Sequence, residues 1–210
     1  MENRLTKRLQ NISGKDPATI LSKIAKIDEF KGRWKATSTF SPQVLGRLKR
    51  SIVVTSTGAS TRIEGSNLSD NEVEKLLKGL RVSKLKDRDS QEVAGYAEVL
   101  QTVFDSYKDI PFTEGMILQF HSSLLQYSEK DKNRRGKYKS TPNKVVAFDP
   151  AGGQTVLFNP TEPYLTPSEM QELIEWSRAE LKHGEFHPIL VVANFIVEFL
   201  AIHPFHDGNG

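Results

Sequence analysis

The stretch Pro188 to Gly210, PILVVANFIVEFLAIHPFHDGNG, decides how the rest of the chain is read. Pro188 is a first-turn proline, and Leu190, Val192, Phe195, Ile196, Phe199 and Leu200 follow with Asn194 and Glu198 as the only polar members. A helix apolar nearly all round is expected to be central and buried. It delivers a polar, glycine-rich loop. His203, fixed between a buried helix and Pro204 with Phe205 as an anchor, is a candidate proton acceptor. Asp207 is a candidate Mg²⁺ ligand, and the backbone amides of Gly208, Asn209 and Gly210 are free to converge on an anion. That combination suits phosphoryl or nucleotidyl transfer, which depends on positioning and charge neutralisation.

Helix signals dominate the rest of the chain. Asp16-Pro17 opens an amphipathic helix through Ile20, Leu21, Ile24, Ile27 and Phe30, and Ser41-Pro42 opens another that ends near Gly65. Ser69 with Glu72 forms a capping box ahead of Val73, Leu76, Leu77 and Leu80; Asp89 with Glu92 repeats the device. Further starts fall at Thr113 and at Thr166-Pro167-Glu169. Lys144 to Phe148 and Thr155 to Phe158 are β-prone runs around a Pro/Gly turn, a hairpin that cannot be stable alone. The expected fold is all-α with one β-hairpin.

With 210 residues, no cysteine and a formal charge of +3, the chain reads as a cytoplasmic globular protein without disulfides or thiolate metal sites. No stretch is long and apolar enough to span a bilayer, and the charge is too mixed for nucleic acid to be the expected partner. Lys132, Arg134, Arg135, Lys137 and Lys139 read as a solvated basic surface.

Two bland readings compete at the terminal loop. Asp207 to Gly210 are turn formers. The His206-Asp207 doublet could instead belong to a metal phosphohydrolase with His203 or His187, although His121, His183 and His187 make no convincing ligand set.

The residues His203-Pro-Phe-His-Asp-Gly-Asn-Gly210 resemble the signature loop of the Fic (Fic/DOC) family, H-x-F-x-[DE]-G-N-G-R-x-x-R, up to Gly210. Both family arginines would fall beyond it. Ser60 to Gly65 resembles the family's inhibitory motif [ST]-x-x-x-E-[GN], and the hairpin stands where Fic proteins carry a flap, preceded by the similar segment Gly136 to Lys139. The resemblance implies a Fic-like helical bundle over residues 41–210, lacking the C-terminal part of its core, behind an N-terminal helical extension at 1–40. It implies a protein adenylyltransferase using ATP and Mg²⁺. His203 would deprotonate a Ser, Thr or Tyr hydroxyl of a protein substrate, Asp207 would hold Mg²⁺, and Gly208, Asn209 and Gly210 would cradle phosphate. The flap would pin the target by strand pairing. Glu64, four residues from Ser60 on one helix face, would inhibit in cis. The chain is expected to be nearly inactive as it stands. Self-modification and homo-oligomers are compatible with this reading. A non-catalytic interaction module, transfer of phosphate or another phosphate-containing moiety, and AMP removal are the alternatives.

Overall fold

The computed structural model describes residues 3–12, 16–36, 40–63, 65–79, 85, 87–148 and 153–209. Among them the chain forms α1 (Arg4–Ile12), α2 (Pro17–Ala36), α3 (Pro42–Ile63), α4 (Asp70–Lys78), α5 (Arg88–Ser106) and α6 (Glu114–Leu124). A hairpin of β1 (Val145–Phe148) and β2 (Gln154–Phe158) comes next, then α7 (Thr166–His183) and α8 (Pro188–Ile202). This is the expected all-α fold with one β-hairpin. Glu64, Leu80, Gly210 and the hairpin tip at 149–152 lie outside the described residues.

Most helix starts fall where side-chain chemistry puts them. Ser69 and Glu72 form the reciprocal capping box, and Thr113 accepts from the Met116 amide. Two differ. The cap of α5 is Asp87, which takes the Ser90 amide and hydroxyl, so Asp89 is left to accept from the Asn67 amide at 2.8 Å. At α7 Thr166 is already helical and its hydroxyl donates back to the Glu162 carbonyl, 3.0 Å away, leaving Leu165 as a cap without a side-chain bond. Helix α3 ends as expected at Gly65, whose φ of 101° favours glycine. There the Ser66 amide reaches Thr61 and the Gly65 amide reaches Arg62, a Schellman closure.

The core lies between α1, α7 and α8, where Leu5, Leu9, Met170, Leu173, Ile174, Val191 and Ile202 are buried. No helix is expected before Asp16 from sequence, because Arg4 to Ile12 is dominated by polar residues. Yet Leu5 and Leu9 share one face four residues apart and both bury. Helix α8 departs from its expected burial. Its two polar residues face inward: Glu198 binds Arg4 at 2.7 Å and Arg8 at 2.5 Å, and Asn194 binds Arg8 and the Leu5 carbonyl. Val192, Ile196, Val197 and Leu200 are exposed, since α8 packs on α1 and α7 from one side. The expected periodicity of α2 is present, but Leu21, Ile27, Phe30 and Trp34 point to solvent.

A second layer, α3 with α5 and α6, meets the first where α6 packs on α7. Gly95 lets α5 and α6 touch through their backbones: a Cβ there would sit 1.9 Å from the Leu124 carbonyl oxygen. Between α5, α6 and α8 opens a cleft of about 490 Å³ lined mostly by apolar side chains, among them Phe112, Phe120, Phe195 and Phe199, with Gly208 and Asn209 at one end. The hairpin pairs antiparallel, with Val146 opposite Val156 and a register shift beside Val145. Val156, Leu157 and Phe158 are exposed along it.

Candidate functional site

His203 ends α8 in the left-handed region (φ 50°, ψ 62°), the only described non-glycine residue with positive φ. Its amide closes the last helical turn on the Phe199 carbonyl at 2.8 Å. Such a conformation in a residue with a Cβ costs free energy and persists only where the surroundings impose it. Burial holds the imidazole pKa below its ordinary value; a hydrogen bond to the Leu200 carbonyl opposes this and the charge of Lys139 adds to it. The ring is therefore neutral near pH 7. A neutral imidazole carries a lone pair on one ring nitrogen.

The loop beyond is closed on itself by Asn209. Its side-chain oxygen accepts from the Phe205 amide at 2.8 Å and its side-chain nitrogen donates to the Phe205 carbonyl at 3.0 Å. Gly208 between them has φ 73°, and a Cβ there would meet the Leu124 side chain at 3.1 Å and the His121 ring at 3.4 Å. Both observations explain the residue types: only glycine fits the turn, and only an amide both gives and takes at Phe205.

His121 on α6 is the brace beneath this loop. Its Nδ1 accepts from the Gly136 amide at 3.0 Å, which forces the proton onto Nε2, and Nε2 then donates to the Asp207 carbonyl at 3.0 Å. The ring stacks on Phe205 at 3.7 Å with 5° between planes. Burial lowers the His121 pKa, with the Asp207 carbonyl and charge opposing. Because the unfolded chain binds that proton near the ordinary 6.5 and the folded chain resists it, this contribution to stability is complete above 6.5 and is lost as pH falls through the lowered value. His203 and His206 shift in the same direction. The urea midpoint is expected to drop between pH 7.5 and 5, and to drop less in His121→Gln; equal slopes would contradict a neutral, buried His121.

Asp207 has one carboxylate oxygen on the Gly208 amide at 2.9 Å and the other on Arg88 at 2.9 Å. Arg88, in the first turn of α5, also pairs with Glu92. A cation at a helix N-terminus opposes the helix dipole, so Arg88 is placed by its carboxylates rather than by its helix. Among the described residues no three His, Asp or Glu side chains cluster as a metal cage. A single carboxylate still suits Mg²⁺, which takes one or two protein carboxylates and completes its shell with water and phosphate. Ser60 of α3 donates to the Tyr96 hydroxyl at 2.9 Å, and both residues line a small pocket with Gly208.

The structure thus closes Asp207, Gly208 and Asn209 into one turn a few residues after His203 and sets Gly208 beside the Ser60 end of α3. It separates His187, which caps the opposite end of α8, about 22 Å away over a 15-residue helix. His206 accepts the Ser140 amide at 3.2 Å. A His206-Asp207-His187 metal set therefore cannot form. Sequence reading missed Arg88 and His121 as loop contacts and treated Lys139 as surface, although it is 3% exposed.

Residues 111–210 match the Fic/DOC family. No curated protein sequence matches the chain significantly. Among solved structures, a Fic domain containing signaling protein from Bacteroides thetaiotaomicron superposes with a TM-score of 0.72 at 26% identity, over 87% of this chain and 67% of that one. A Fic family protein from Desulfovibrio desulfuricans matches with a TM-score of 0.69 at 28% identity, over 91% of this chain but 54% of that one. Fic-1 from C. elegans gives a TM-score of 0.67 at 20% identity over 92% of this chain and 55% of its own length, a likeness of fold alone. The chain spans little more than half of the second and third of these structures. At residues 111–210 it carries a domain of the Fic/DOC family.

Proposed function

We propose that the intact protein is a protein adenylyltransferase that moves AMP from ATP to a hydroxyl side chain of a protein, held back by Glu64. The observation that carries this reading is His203: an imidazole that burial keeps neutral, on the left-handed residue that leads into the glycine turn. The unprotonated nitrogen takes the proton of the incoming hydroxyl as its oxygen attacks the α-phosphorus. The bond from that phosphorus to the bridging oxygen breaks, and pyrophosphate leaves. The amides of Gly208, Asn209 and Gly210 would receive charge on the α-phosphate, that of Gly208 by exchanging its Asp207 carboxylate contact for a phosphate oxygen. Asp207 would hold Mg²⁺, which supplies charge neutralisation across the phosphates. Arg88 is half exposed and free to exchange the Asp207 carboxylate for a phosphate oxygen. The exposed hairpin would take the target segment as an added strand.

Calorimetric titration with ATP and Mg²⁺ separates this reading from a non-catalytic interaction module. The intact protein carrying Glu64→Gly is expected to bind ATP only with the divalent ion present, and Asp207→Asn to weaken that binding at least tenfold. Absence of binding in the Glu64→Gly protein would favour the interaction module.

A further inference from the structure

Four consecutive carbonyls at the end of α8 are held by two residues from the root of the hairpin. The Ile202 carbonyl accepts from Lys139 Nζ at 2.9 Å, and that of His203 from Asn143 Nδ2 at 3.3 Å. The Pro204 carbonyl accepts from the Lys139 amide at 2.8 Å, and that of Phe205 from Asn143 Nδ2 at 3.1 Å. Lys139 and Asn143 are tied to each other by Nζ donating to the Asn143 side-chain oxygen at 2.9 Å. The Ser140 amide adds a fifth stitch, to His206.

A helix C-terminus leaves carbonyls without partners, and a loop that turns left-handed at a residue with a Cβ needs them satisfied from outside. A buried lysine is costly because its charge is desolvated. Here the ammonium sits on the carbonyl end of α8, where the helix dipole favours a cation. Asn143 puts its side-chain nitrogen on the loop and its side-chain oxygen on Lys139, so both polar ends of the amide are used. Two residues later β1 begins.

We propose that Lys139 and Asn143 are positioning residues that fix the left-handed His203 and join the catalytic loop to the base of the flap, so that the strand receiving the target and the base acting on it form one unit. This rests on the reading of His203 as the base. Its structural half, the local control of residues 202–206, does not require that activity.

The test is Asn143→Asp, which keeps the shape and the oxygen facing Lys139 but removes both donors, with Lys139→Met as the second variant. Amide hydrogen exchange and the His203 ¹³Cα shift are read by NMR on this 210-residue chain. Exchange at the amides of His203 and Phe205 is expected to accelerate about tenfold, the loss of roughly one such hydrogen bond, with the His203 shift moving away from its left-handed value. Leu173 and Ile174 in α7 should be unaffected. Unchanged exchange at His203 and Phe205, or an equal acceleration in α7, would overturn the proposal, the latter making these residues general stabilisers. In the intact Glu64→Gly protein, adding Asn143→Asp should lower labelling by ATP at least tenfold without changing ATP affinity; undiminished labelling would also overturn it. If the Glu64→Gly protein transfers nothing while the exchange pattern appears, the adenylyltransferase reading fails and the clamp stands.

Discussion

In the intact protein, His203→Ala is expected to reduce transfer from ATP labelled at the α-phosphate by about 10²–10⁴-fold, the usual contribution of a positioned base. Glu64→Gly is expected to raise the same signal. The opposite signs matter, because a substitution that merely disturbed the loop would lower both. His203 bears this weight through its surroundings. Burial keeps its ring neutral, and its backbone is the one described left-handed position with a Cβ. Ala at 203 would keep the helix end while removing the lone pair. Glu64 follows the stretch of α3 whose Ser60 already reaches Tyr96 beside Gly208. Equal labelling by the two variants would remove the assignment of both residues.

The second large effect concerns α1. Glu198 is nearly inaccessible, its side chain 2% exposed, and its two carboxylate oxygens are taken by Arg4 and Arg8. Removing both arginines leaves a buried carboxylate without a partner, whereas replacing the carboxylate leaves two arginines that reach water. Arg4→Ala with Arg8→Ala is therefore expected to cost about 3 kcal/mol, the lower end for a broken buried pair because both arginines are partly solvated. Glu198→Gln should cost about 1–2 kcal/mol, the scale of hydrogen bonds to a charged group. Urea unfolding followed by tryptophan fluorescence checks this, since Trp176 donates to Thr6 of α1 at 2.9 Å. A larger loss for Glu198→Gln than for the double variant would contradict the account.

What was legible in the sequence was local. The Pro188 start, the Ser69-Glu72 box, the Gly65 stop and the hairpin all depend on chemistry within a few residues, and all stand. The loop's glycines were legible for the same reason. The partners of that loop were not, because they come from distant segments: Arg88 lies 119 residues before Asp207, and His121 lies 86 before it. Lys139 read as one of five basic surface residues since nothing in its neighbourhood announces the helix end it caps. Helix α1 was hidden by its polar composition, with Leu5 and Leu9 its main apolar signal. In α8 the polar residues looked like exceptions on a buried rod, yet they face the core because arginines from α1 meet them there.

Transfer of AMP to protein by this loop leaves a mass signature on the target. Intact-mass and fragment-mass spectrometry of the Glu64→Gly protein, after incubation with ATP and Mg²⁺ with and without a cell extract as target source, tests it most directly. Hydroxyl side chains are expected to gain the mass of one AMP, with the signal absent in the Glu64→Gly, His203→Ala double variant. A gain of phosphate alone, or no gain in any protein, would contradict it.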